Sequence, residues 1–327
     1  ALTASDIGLV DDTTAEKQVT ANQTVGGLRV FGSKKTGIAL SIAQGAVLTV
    51  GSGTDPACVL LNNSHANGKQ AVIGGAGTLD FGPREGIIVA NLLQSTSYPV
   101  EINCKIAGTG GVTFAGAQMH VSIKVGGANT YEGGTVIESA VVQAADGSCF
   151  GKDTVTIPMT KAYGGEVVFA KAATFANDFR IGGFGSYVAD SRYIQGAFWF
   201  SASATLTGSV ELLGETSIGG EMNVRGTLDG AVTGAGPLTV KGAATLAFGA
   251  ANTFTGGLTI ASSATVEVKE GATLGADAVT VNGVLRFANE TDVVVPNAIS
   301  GAGTIELAGK GIVTFADKSG FTGKIVL

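Results

Sequence analysis

The sequence predicts an all-β chain wound as a right-handed parallel β-helix, a solenoid of coils about 22 residues long. Three observations carry the prediction. Short runs alternate polar and apolar residues, as in Thr265-Val266-Glu267-Val268-Lys269, Leu285-Arg286-Phe287, Ile305-Glu306-Leu307 and Val313-Thr314-Phe315. Alternation at period two sends one side chain into a core and the next to solvent. Segments also recur: GPLTVKGAATLAFGAANTFTGGLTI at 236–260 aligns without a gap on GTIELAGKGIVTFADKSGFTGKIVL at 303–327, 67 residues later. Each coil of a solenoid meets a near-copy of itself, whereas a sandwich needs no such recurrence, and 67 residues divide into three coils of about 22. Finally, glycine supplies 51 of 327 residues and charged residues only 14%. Tight corners need positive φ, which Gly adopts without steric cost, and strand exteriors suit Thr, Ser and Ala.

The elements follow in chain order. Residues 1–25 are polar around Asp11-Asp12-Thr13-Thr14-Ala15-Glu16-Lys17 and show no repeat unit. They are expected to form a terminal cap or arm, leaving 26–327 as a single solenoid domain. Fragments of the repeat stand at 74–82 (GGAGTLDFG) and 108–116 (GTGGVTFAG), and a partial copy, GANTYEGGTVI, at 127–137, with Tyr131 in the place of Phe254. Residues 176–203 are aromatic-rich, hold Trp199 and two of the five Tyr, and are expected to form a bulging coil. In the last ninety residues, strands are expected to start near 238, 246, 258, 266, 279, 285, 293, 305, 313 and 325. Phe248, Phe254, Phe287, Phe315 and Phe321 are expected to stack in the core, and Asn252 with Gly256-Gly257 to mark a corner. Apolar positions nowhere keep a helical period for three turns.

GANTYEGGTVI and GAGPLTVKGAATLAFGAANTFTGGLTI (234–260) resemble the autotransporter-associated β-strand repeat, whose typical unit runs G-x-G-x-L-T-L-x-G-x-N-T-Y-T-G-G-T. The copy at 301–327 is a worn version with Ser319-Gly320 in place of Asn-Thr. Clear likeness covers about a third of the chain. The resemblance implies a secreted β-solenoid, as found in adhesins and surface-protein passengers, and is unspecific for activity. The translocator barrel that ends an autotransporter is not in these residues, so the resemblance implies a cleaved passenger or a free-standing secreted protein.

Composition narrows the partners. A net charge of −6 and a pI near 5.0 argue against nucleic acid. No apolar run approaches the 18 or so residues of a spanning helix, and one Trp with five Tyr is too few for the girdles of a membrane barrel. Cys58, Cys104 and Cys149 fall 46 and 45 residues apart, two coils each. Two coils are about 9.6 Å, beyond the roughly 7 Å Cα limit for a disulfide, so unpaired buried thiols are expected.

Chemistry is sparse. Asp11-Asp12 is the one adjacent carboxylate pair and sits in the expected cap. Glu85 with Arg84, and Asp190 with Arg192, read as surface pairs, and Asp277, Glu290 and Asp292 as corner residues. His65 and His120 have no partner at a metal-ligand spacing. No Thr-x-Thr ladder is visible beyond Thr154-Val155-Thr156. The expectation is therefore a non-enzymatic extracellular structural protein with no cofactor, metal or catalytic residue, assembling head-to-tail into a filament or surface layer. Its expected partners are copies of itself and cell-surface glycans. The contact is expected at the edge formed by Lys324, Ile325, Val326 and Leu327, where one Lys guards an apolar strand. A surface adhesin or passenger is the runner-up, followed by a polysaccharide-active enzyme on the same scaffold.

Overall fold

A computed structural model describes residues 6–11, 16–32, 37–63, 71–92, 99–116, 121–159, 164–185 and 196–327. Among these there is no helix, and every strand pairing is parallel. Parallel neighbours close in sequence, with no crossover helix, are what successive coils of a solenoid produce. The chain divides into two compact units, 1–156 with 186–190, and 157–185 with 191–327.

In the first unit each coil has a first, a second and, in most coils, a third side. Gly27–Gly32, Leu40–Ile42 and Val47–Val50 are the three strands of one coil. Ile7–Asp11, Lys17–Val19 and Gln23–Val25 lie in register with them, Ile7 opposite Gly27, Lys17 opposite Leu40, Gln23 opposite Leu48. Residues 7–11, 17–19 and 23–25 thus already form a coil. From the second coil onward the step along the first side shortens: Leu28 faces Val59, Gly86 faces Val112, Val112 faces Thr135, and Thr135 faces Val155. Most of the extra length in the longer coils lies between the first and second sides. His65 and His120 fall in those intervals, outside the described residues; Asp190 and Arg192, between Phe179–Gly183 and Phe198–Phe200, also lie outside them.

The second unit is more regular. Its second side runs Thr216–Gly220, Leu238–Gly242, Leu258–Ile260, Val279–Val281 in strict register. Its third side runs Arg225–Leu228, Thr245–Phe248, Thr265–Val268, Val284–Phe287, Thr304–Leu307, Lys324–Val326. The observed starts at 238, 245, 258, 265, 279, 284, 293, 304, 313 and 324 match the sequence expectation to within one residue. Alternation explains the accuracy, because Val266 and Val268 point inward exactly where period two requires.

The 67-residue recurrence, however, is not three coils. Three coils on from Leu238 the register reaches Ile299, through Leu258 and Val279. The sequence alignment instead places Ile305 there, on the next side. Thr245–Phe248 on the third side likewise aligns with residues 312–315 on the first. What repeats is one side and its corner, and the copy is set down one side further round. The corner conformations agree: Gly234 and its counterpart Gly301 have φ of 101° and 103°. A Cβ on either would meet a backbone oxygen of the coil below at 2.3 Å, so only Gly fits.

The N-T-aromatic motif has a defined role in this geometry. Asn252 is buried; its Oδ1 accepts the backbone N–H of Val232 at 2.8 Å and its Nδ2 donates to the carbonyl of Thr273 at 2.6 Å. Asn129 repeats this on Ile106 (2.7 Å) and Cys149 (2.7 Å). Each Asn bridges the coil before and the coil after its own. The aromatic two residues later fills the core, and its neighbour matches it. The buried Tyr131 hydroxyl lies 2.6 Å from Thr135 Oγ1, whereas Phe254 has the apolar Leu258 in that place. Buried polar groups need partners, so hydroxyl and partner appear together and vanish together. Burial holds the Tyr131 phenol well above its ordinary range.

Phe248, Phe254 and Phe287 are buried as expected, but Phe315 and Phe321 are half-buried. Phe315 covers Phe287 edge-on at 5.7 Å, and no described strand lies over Phe315 in turn. Within residues 176–203, of which 186–195 lie outside the described residues, Phe179, Phe198 and Phe200 join Phe169 and Phe175 in an inward cluster. All three thiols are free. Cys104 and Cys149 are buried as predicted, burial pushing the Cys104 thiol up to about 12. Cys58 is a correction: it occupies an outward position of Ala57–Asn63 and is exposed.

Candidate functional site

The expected assembly edge is the strand Lys324–Val326. Thr304–Leu307 is its one pairing neighbour among the described residues, with Thr304 opposite Lys324 and Ile305 opposite Ile325. Ile325 is 45% and Val326 47% exposed, and Ile312 nearby is 66% exposed. The structure thus brings Lys324, Ile325 and Val326 together as an accessible edge strand, with Leu327 fully outside it. In the first unit, Ile7–Asp11 pairs with Gly27–Gly32 alone among the described residues and exposes Ile7 and Leu9.

Period-two alternation sends Glu267 and Arg286 to the outer face. They are outward, but Glu267 is almost buried, because Arg225 reaches it from two coils below. Arg225 is in register with Thr245 and reaches diagonally; Ala247, the register neighbour of Glu267 in the intervening coil, is small. Arg225 Nη1 donates to Glu267 Oε2 at 3.1 Å and its Nη2 to Oε1; Arg286 Nη1 stands 3.8 Å away and Arg286 Nε donates to Glu306 at 2.7 Å. Lys269 reaches Asp229 in the same way, 2.8 Å across Gly249. Pairs 40 and 42 residues apart leave no local sequence signal.

The Arg225 hydrogen bonds, aided by the charges of Arg225 and Arg286, hold the Glu267 carboxyl below its usual range. A depressed folded pKa gives stability that is present above the unfolded pKa and lost as pH falls through the folded one. Glu267→Gln is therefore expected to lower the thermal midpoint at neutral pH. The gap to the parent chain should close on acidification, measured by melting across a pH series. A constant gap at every pH would show that packing, not charge, is at stake.

A second outward group was not anticipated. In the second unit Glu166, Ser217 and Trp199 lie on the outer face of the second side, Trp199 opposite Gly219 and Gly219 opposite Lys241. The indole lies over Gly219, where a Cβ would meet its Cζ3 at 2.8 Å. Ser217 Oγ and Trp199 Nε1 are buried without a hydrogen-bond partner among the described residues. Burial lowers the Lys241 amine to about 8 against the opposing charge of Glu166. Ser217 also begins a hydroxyl row, Ser217–Thr239–Thr259–Thr280–Ser300, one residue per coil. That row is invisible to a search for Thr-x-Thr. Arg84 and Glu85, read as a pair, have separate partners: Arg84 donates to the Gly53 and Phe81 carbonyls, and Glu85 accepts from Thr113.

Among the described residues no group of three or more His, Cys, Asp or Glu is placed to hold a metal ion, and no helix is long and apolar enough to cross a membrane. Compared with family models, curated proteins and solved structures, the chain matches none. The fold and its edges define a β-solenoid compatible with a passenger-type β-helix.

Proposed function

We propose that this chain is a non-enzymatic structural β-solenoid of the extracellular space or cell surface, and that it works by adding copies of itself edge to edge. The observation that carries the reading is the apolar edge strand Lys324–Val326, with Ile325 and Val326 exposed. Strand addition continues the parallel pairing that already holds the coils. The strand Ile7–Asp11, open on one side among the described residues and apolar on its surface, is the acceptor in this reading. Such a contact is heterologous, so repetition gives filaments unless it closes into a ring. The extracellular setting rests on the resemblance to autotransporter repeats. The non-enzymatic reading rests on the acids: Asp229, Glu267, Glu290 and Glu306 are engaged in ion pairs between coils.

Light scattering and negative-stain imaging of the 327-residue chain test this. Concentration-dependent elongated assemblies are expected, and Ile325→Asp with Val326→Lys should abolish them while the circular dichroism stays that of β-structure. A parent chain that stays monomeric at high concentration overturns the proposal, as does growth unaffected by both substitutions.

A further inference from the structure

The outer face of the first side in the first unit departs from the Thr, Ser and Ala rule. Two rows of side chains point outward across five strands. One row reads Arg29–Leu60–Val89–Ala115–Glu138, each opposite the next in register. The other holds Cys58–Ile87–Thr113–Val136. Ile7, Leu9 and Phe31 extend the apolar area at one end, where a cavity of about 230 Å³ opens beside Leu9, Arg29 and Phe31. In the second unit the same kind of face carries Arg180 paired with Glu211 at 2.8 Å, and Thr233. In the first unit the apolar rows run on from strand to strand, and contiguous exposed apolar patches mark interaction surfaces.

The charges select the occupant. Arg29 and Glu138 are exposed on either side of Leu60, Val89 and Ala115 in one row, and Leu9 lies opposite Arg29 one strand further out. Neither has an ion-pair partner among the described residues. We propose that this face packs against the same face of a second copy, about a two-fold axis lying along the strand Gly86–Leu92. Rotation about that axis keeps each row on itself and reverses the order of coils. Val89 then meets Val89 of the second copy, Leu60 meets Ala115, Cys58 meets Thr113, and Arg29 meets Glu138. The two ion pairs form at once, on either side of the centre made by Leu60, Val89 and Ala115, as a self-complementary two-fold contact requires. Sheets pack face to face about 10 Å apart, which suits side chains of this size. Five strands about 4.8 Å apart and about 17 Å long cover about 400 Å² per copy, half a standard interface. The dimer is accordingly weak and concentration-dependent. It is lateral, and independent of the edge contact proposed above.

Sedimentation velocity over a concentration series tests it. The parent chain is expected to pass from monomer to dimer, and Ile325→Asp with Val326→Lys should leave this step in place, so the two contacts fail separately. Arg29→Glu or Glu138→Arg alone turns both attractions into repulsions and should weaken the dimer about tenfold. The double exchange should restore it, which a merely structural role for either residue does not predict. A monomer at all concentrations, or a double exchange as weak as the single changes, would each overturn the proposal.

Discussion

Phe169→Ala is expected to cost about 3–5 kcal/mol, the range for emptying an aromatic site in a core that cannot collapse. Phe169 is the hub of the second unit's largest aromatic cluster. Its ring stacks on Phe200 at 4.7 Å and meets Phe175, Phe198 and Phe179 edge-on at 4.9, 5.3 and 6.3 Å. Coils above and below are fixed by their own strand pairing, so the surroundings have little freedom to close the hole. Each aromatic pair also contributes beyond its buried area. Phe315→Ala serves as the comparison. Its ring is half-buried and touches Phe287 from one side, so its loss should cost clearly less. Denaturant unfolding followed by near-ultraviolet signal separates the two. In a solenoid the loss is confined to neighbouring coils, so Phe169→Ala should shift the transition of the second unit and spare that of the first. Equal costs at both positions would mean that burial does not set the energetics.

Strand positions were legible because they depend on nearest neighbours in sequence. Leu285-Arg286-Phe287 alternates, and the structure turns Leu285 and Phe287 inward. Gly-rich corners were legible for the same reason. What sits on what was not, because stacking depends on the length of every intervening coil. Leu238 to Leu258 is a step of 20, while Val167 to Phe198 is a step of 31. The recurrence at 67 was a true signal about one side and a misleading one about coil length. Contacts that come from stacking were therefore not legible: the reach of Arg225 to Glu267 and the Arg29–Glu138 row gave no local signal, and Cys58, expected inside, lies on the outer face. The strand Lys324–Val326 was legible, since it is a local apolar run with a single charge.

Asn252→Ala should be strongly damaging, costing about 2–6 kcal/mol through two orphaned backbone groups at about 1–3 kcal/mol each. The Asn252 side chain is the sole partner shown for the Val232 N–H, while Thr253 N–H takes the Val232 carbonyl. Its Nδ2 serves the Thr273 carbonyl, and Thr273 Oγ1 returns a hydrogen bond to the Asn252 carbonyl at 2.9 Å. Removing the amide strands a donor in one coil and weakens an acceptor in another, inside a region with little water to replace it. Asn252→Asp is the sharper probe. The carboxylate keeps the acceptor for Val232 but loses the donor for Thr273 and brings a charge into the interior. It should therefore be destabilised at neutral pH and recover part of the loss as acidification protonates it, since the buried charged form is the costly one. Asn129, with the same pair of bonds to Ile106 and Cys149, should respond alike in the first unit. Melting of Asn252→Ala, Asn252→Asp and Asn129→Ala across a pH series reads all three. If Asn252→Ala melts like the parent chain, the amide is not bridging coils, and the N-T-aromatic motif is retained for its corner alone.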